Sequence, residues 1–171
     1  MKRLVYLWIL IVYMMCLGVT EVIFVDECGI DAYYQRGYGR AKRGVRVKGV
    51  RRGKRFKRTN IIAGLWGGKH VAVHSYAHST TASFFEDWFE FELLAVAPQN
   101  ALIILDNASF HRKKYLLKIA ERYGVNLLFL PPYSPDFNPI EKSWANFKRW
   151  LCDNLLRFPS VDFAVLYYFC S

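Results

Sequence analysis

Apolar residues in this chain fall into short, largely β-branched runs, most of which end at a polar residue or a glycine turn. Ala101 to Leu105 is one such run and stops at Asp106; Val125 to Leu130 is another. Between them, Arg112 to Tyr123 repeats apolar residues at helical spacing, and Gly124 stands where a helix C′ residue belongs. Two short apolar runs around a helix predict a βαβ unit whose parallel strands are covered on both faces. Glu21 to Asp26 predicts a first strand, which Glu27, Cys28 and Gly29 leave. Thr59 to Leu65 and Val71 to Tyr76 flank Trp66-Gly67-Gly68-Lys69, a two-glycine turn that predicts an antiparallel hairpin. Thr80 or Thr81 caps a helix expected to reach about Ala95, with Phe84, Phe85, Trp88, Phe89 and Leu93 on its buried side. After the turn PPYSPDFNP, Asn138 is the expected N-cap, Pro139 the first helical residue and Glu141 the third. Ile140, Trp144, Phe147, Leu151 and Leu155 then form one apolar face. The fold class is α/β: a mixed sheet of three antiparallel and then two parallel strands, flanked by helices. Ligands of such sheets bind beyond the carboxyl ends of the strands. With the first strand beside the Asp106 strand in mid-sheet, Asp26 and Asp106 become neighbours, and the last helix adds Glu141.

Composition changes the picture in two places. The chain of 171 residues, 53% hydrophobic and 17% aromatic, can bury a sizeable core and is not a disordered polymer. It reads as one domain over residues 21–158, with a hydrophobic leader at 1–20 and an unpatterned tail at 159–171. Net charge is +10 and the pI about 9.6, which favours a polyanionic partner. Half of all lysine and arginine lies in one acid-free stretch: Arg36, Arg40, Lys42, Arg43, Arg46, Lys48, Arg51, Arg52, Lys54, Arg55, Lys57 and Arg58. Glycines 37, 39, 44, 49 and 53 argue against a helix there, and Val45, Val47 and Val50 suggest a short irregular strand. We expect this stretch to bind nucleic-acid phosphates without sequence preference, with Tyr33, Tyr34, Tyr38 and Phe56 as stacking partners.

The leader has Lys2 and Arg3 before an apolar run from Leu4 to Val19. It resembles a signal peptide or anchor, or a buried segment. The run is short for a membrane span, which needs about 20 residues. It lacks an A-x-A site and passes directly into the first strand. The expectation is a cytoplasmic, nucleoid-associated protein and no membrane partner. Cys16, Cys28, Cys152 and Cys170 are widely spaced without a C-x-x-C pair, and are expected to be reduced thiols.

Three carboxylates in one place suit Mg²⁺ or Mn²⁺. Two such ions can activate a water or a 3′-hydroxyl and stabilise the oxygen leaving a phosphodiester. Each acid also has a purely structural reading: Asp26 as a strand-end acid, Asp106-Asn107 as an Asx turn, Glu141 as a capping-box residue. Asn107 could orient Asp106 or contact a phosphate. His111 could touch DNA or assist proton transfer, but its place before a helix reads first as surface. Glu27 reads as a solvated neighbour, and Trp144 and Phe147 read as core. Lys142 and Lys148 fall on the exposed side of the last helix.

FVDE, LDNASFHR and LPPYSPDFNPIEKSWANFK resemble the three blocks of DDE transposases of the mariner-like superfamily, in its bacterial insertion-sequence branch. The 34 residues between Asp106 and Glu141 match that branch's D-D-34-E spacing, and the resemblance covers about Val22 to Leu155. It implies a ribonuclease-H-like fold and two-metal phosphodiester chemistry, with Asp26, Asp106 and Glu141 as ligands. It further implies cleavage at transposon ends by water, joining to target DNA by the freed 3′-hydroxyl, and a homodimer on DNA. Family members usually carry an upstream helix-turn-helix region, so an end-binding polypeptide from an upstream frame is an expected partner. Cys28 departs from the small hydroxyl residue common at its place. The alternatives are a DNA-binding transposon remnant without catalysis, and a nuclease on the same fold.

Overall fold

Strand β1, Val22–Ile30, runs through the middle of the sheet because both of its faces find apolar cover. Ile23 and Val25 enter one core with Phe85, Trp88, Leu116 and Ile119. Cys28 and Ile30 enter another with Ile140, Trp144 and Phe147. β2 (Thr59–Trp66) pairs antiparallel with β1, and β3 (Lys69–Tyr76) antiparallel with β2. β4 (Leu102–Leu105) and β5 (Asn126–Phe129) add in parallel on the other side, giving the order β3-β2-β1-β4-β5. The computed structural model describes residues 10, 12–30, 43, 58–131 and 137–170. The irregular strand expected around Val45 to Val50 and most of the PPYSPDFNP turn lie outside them.

One expectation needs correcting. β1 does not end at Asp26, and Glu27, Cys28 and Gly29 continue it. β2 keeps pairing through Gly29↔Asn60 and Ile30↔Thr59, so the backbone stays extended. It is β4 that leaves the ladder early, its last pair with β1 being Phe24↔Ile104.

The β2–β3 hairpin closes through Gly67 and Gly68 at φ 55° and 81°, the positive pair that a tight two-residue turn needs. A register shift at Ile62/Gly64 follows, with Ala72 opposite at φ 50° and its carbonyl accepting the Trp88 indole at 2.8 Å. Gly64 is required here: a Cβ would lie 2.9 Å from both Ile23 Cγ2 and Leu93 Cδ1.

Helix α1, Ala82–Trp88, is capped by the Thr81 hydroxyl, which accepts from Phe84 N at 3.2 Å, and passes into a π-helical turn at Phe89–Leu93. Helix α2, Lys113–Arg122, ends as expected at Gly124 (φ 66°), with Val125 N on Ala120 O at 3.0 Å. α1 and α2 cover one face of the sheet. Helix α3, Ile140–Asn154, covers the other with Ile140, Trp144, Phe147 and Leu151, and a 3₁₀ turn at Leu155–Arg157 buries Leu155. The closing residues are helical too: α4, Val161–Cys170, buries Val161, Ala164 and Val165 in the same core. In the leader, residues 12–17 are helical, and Leu10 and Val19 pack on Leu102, Ile104 and Leu130. Among the described residues no helix is long and apolar enough to cross a membrane, and all four cysteines are free.

Candidate active site

Asp26 and Asp106 are brought together by strand register. The three pairs of the β1–β4 ladder, Val22↔Leu102 through Phe24↔Ile104, share one offset. Beyond that ladder Asp26 continues β1, Asp106 follows the last residue of β4, and the two acids line one cavity. β4 stops at Leu105 and the chain turns, so Asp106 faces a small cavity of about 140 Å³ that Asp26 also lines. Glu141 arrives from α3. The start of that helix is strapped to β1 by buried Asn138, whose amide donates to Val25 O at 3.1 Å and whose Oδ1 accepts from Ile140 N at 3.4 Å. One turn beyond Glu141, Trp144 Nε1 donates to Asp26 Oδ2 at 3.1 Å. Glu141 itself is exposed and does not line the cavity.

The two aspartates differ sharply in their surroundings. Burial pushes the Asp26 carboxyl up to about 7, and the charge of Glu141 adds to this. The Glu27 backbone N–H opposes the rise, and Asp106 and Glu27 contribute to it less. Asp106 is held below the ordinary aspartate value, chiefly by a hydrogen bond from His111. His111 Nε2 lies 3.0 Å from Asp106 Oδ1, and Ala108 N donates to the same oxygen at 3.1 Å. That second bond is the Asx turn; it aims the carboxylate as well as closing the loop.

His111 is not a surface residue. Its side chain is 3% exposed, because Phe85 and Phe110 pack on the ring at 4.2 and 4.3 Å between centroids. Glu27 is not a solvated neighbour either. Strand alternation sends it to the opposite face from Asp26, where it is half-buried and accepts the Thr80 hydroxyl at 2.7 Å. Burial raises its carboxyl, against the Thr80 hydrogen bond and the charge of His111. Asn107 accepts from Lys113 Nζ. Trp144 and Phe147 are core, as expected, but Trp144 also holds Asp26, a role its spacing alone does not reveal. Lys142 is exposed, whereas Lys148 is half-buried and lies beside Cys28, whose thiol burial pushes up to about 11.

A family model described as DDE superfamily endonuclease matches residues 21–162. The chain belongs to the DDE superfamily endonucleases. An uncharacterized protein y4pE/y4sA of Sinorhizobium fredii (strain NBRC 101917 / NGR234) is 36% identical over 59 residues, 34% of this chain and 42% of its own length. Among solved structures, a pre-cleavage Mos1 transpososome superposes with a TM-score of 0.69 at 18% identity, over 88% of this chain and 48% of the Mos1 chain. A Mos1 mariner paired-end complex with Mn gives 0.68 at 18% identity, over 95% and 52%. The chain therefore spans about half the length of the Mos1 chains, and the shared fold is the ribonuclease-H-like one that the sequence blocks imply.

The donor chemistry of this candidate site fits a hard divalent cation. Its candidate ligands are carboxylate oxygens, and the burial and like charges that disfavour ionised Asp26 are the terms a cation would offset. Among the described residues, however, no three His, Cys, Asp or Glu side chains stand in an arrangement that could hold a metal ion. Asp26 and Asp106 share a cavity, while Glu141 reaches Asp26 as a charge from α3. Of the expected DNA-binding cations, Arg43 and Arg58 are described and exposed. Arg36, Arg40, Lys42, Arg46, Lys48, Arg51, Arg52, Lys54, Arg55 and Lys57 lie outside the described residues.

Proposed function

We propose that this DDE-family chain is the catalytic domain of a DNA transposase, and that Asp26, Asp106 and Glu141 are its metal ligands. The observation that carries the reading is that Asp26, on β1, and Asp106, just past the end of β4, line one cavity, with Glu141 in the first turn of α3 close enough for its charge to perturb Asp26. The metal would be Mg²⁺ or Mn²⁺, as two ions. Such a pair supplies Lewis acidity to both the attacking and the leaving oxygen of a phosphodiester. The chain's own part is to aim the carboxylates. Trp144 restrains Asp26, and His111 with the Asx turn restrains Asp106. The cations from Arg36 to Arg58 bind the DNA backbone without sequence preference. The attacking group is water when a transposon end is cleaved, and the freed 3′-hydroxyl when that end is joined to target DNA. Two protomers working as a dimer would hold two ends, and an upstream-frame polypeptide would recognise them. The setting is cytoplasmic, on the nucleoid.

The test is nicking of supercoiled plasmid in Mn²⁺ or Mg²⁺, stopped by EDTA. Asp106→Ala should abolish nicking while the circular dichroism spectrum is unchanged; nicking at the wild-type rate in that variant defeats the reading. A second reading, DNA binding without turnover, is favoured by the lack of a three-ligand arrangement among the described residues. Tight, salt-sensitive DNA binding with no metal-dependent nicking would select it.

A further inference from the structure

His111 has two ring nitrogens, and Asp106 uses one of them. A carboxylate only accepts, so Nε2 carries the hydrogen. The ring is wedged between Phe85 and Phe110. The next residue, Arg112, is tied by its Nε to buried Glu86 at 2.7 Å, which anchors the chain beside the ring. The other nitrogen, Nδ1, is buried without a hydrogen-bond partner among the described residues. The same holds for Glu27 Oε1, and both residues line the cavity that Asp26 and Asp106 share. Glu27's second oxygen is fixed by Thr80, whose hydroxyl meets that of buried Tyr76 at 2.7 Å. An ordinary core histidine is satisfied at both nitrogens. This one is hydrogen-bonded to the strand-end acid through Nε2 alone, in a cavity that a second, braced acid also lines.

We propose that His111 is a positioning residue that fixes the Asp106 carboxylate for a divalent cation. The inference rests on the reading of Asp106 as a metal ligand. Partners one bond removed from a metal set the orientation and basicity of its ligands, and losing one typically costs about 10- to 100-fold in metal affinity.

The experiment is Mn²⁺ binding to the full chain, without DNA, followed by electron paramagnetic resonance. His111→Leu keeps the apolar packing and removes the donor, and should weaken Mn²⁺ binding about 10- to 100-fold. His111→Gln offers an amide N–H near the position of Nε2, and should bind within about threefold of wild type. Wild-type affinity in a folded His111→Leu protein overturns the proposal. Should His111→Leu not fold, the wild-type protein decides. Mg²⁺ should shift the ¹⁵N resonance of His111 Nε2 saturably, and not in Asp106→Asn; an unmoved resonance overturns the proposal. Wild-type Mn²⁺ affinity in Asp106→Ala would instead remove the ligand assignment itself, and this inference with it.

Discussion

Asp26→Asn should stabilise the metal-free protein above neutral pH while destroying its activity. The folded-state carboxyl titrates at about 7 against an ordinary 3.8, because it is buried and faces Glu141 and Asp106. Between those values the folded chain holds a proton that the unfolded chain has lost. Stability is therefore full below about pH 4 and falls as pH rises through 7. At about 1.4 kcal/mol per pH unit, the deficit approaches ~4 kcal/mol at pH 8, as a ceiling. Asparagine occupies the same volume, still accepts from Trp144 Nε1, and carries no charge. For a domain of this size each kcal/mol is worth about 2–4 °C, so the variant should melt on the order of 10 °C above wild type at pH 8. At pH 5 the deficit is still about 1.2 pH units, ~1.6 kcal/mol, so the gap should shrink to less than half of that at pH 8 and close only near pH 4. Asp106 does not blur the test: its carboxyl is held below 3.8, so the stability it adds is lost only as pH falls below the window used. The assay is thermal unfolding by circular dichroism in EDTA from pH 5 to 8, repeated with Mn²⁺. Mn²⁺ should raise the wild-type Tm at pH 8 and leave the variant where it was. Parallel Tm–pH curves for the two proteins would refute the claim that Asp26 is buried against like charge.

The other expectations are simpler to state. DNA affinity should fall steeply with salt, with a log–log slope of about −5 or steeper if half of the twelve cations from Arg36 to Arg58 meet phosphates; a slope shallower than about −2 would remove them from the interface. Trp144→Phe keeps a buried ring and deletes the donor to Asp26, so nicking should drop at least about tenfold for a stability loss of only about 1–2 kcal/mol. Gly64→Ala should cost about 1–3 kcal/mol in urea unfolding, because its methyl would collide with Ile23 and Leu93 across the sheet.

How much of this was legible in the chain depends on whether the signal is local. Ala101 to Asp106 and Val22 to Asp26 announce their strands by β-branched runs, and a central place for both already makes the two aspartates neighbours. The two-glycine turn, the Thr81 cap and Gly124 are equally local, and each lies where expected. What the chain hides are partners distant in sequence. β1 outlasts Asp26 because β2, beyond the basic stretch, keeps pairing with it. His111 reads as surface from its place before α2, but Phe85, on another helix, packs on its ring together with Phe110 and buries it. Spacing puts Trp144 on the apolar face of α3 without saying where its Nε1 points. FAVLYYFC is apolar on every side and so carries no period, although it forms helix α4.

The same contrast explains the construction of the site. Asp26 lies on β1 and Asp106 just past the end of the adjacent β4, but each is restrained by a different helical layer. Asp26 is held by Trp144 from the α3 side, and Asp106 by His111 from the side of α1 and α2. β1 joins the two halves, since alternate residues of one strand enter opposite cores and Glu27 looks away from Asp26. Two carboxylates placed by one sheet need little sequence to specify them beyond two apolar runs that end in acids. Their aim is another matter: it is set by rings and amides on both layers, at a sequence distance of five residues for His111 and 118 for Trp144. The position of such a site can therefore be read from a chain long before its geometry can, and damage to either core should change how one aspartate is held while sparing the other.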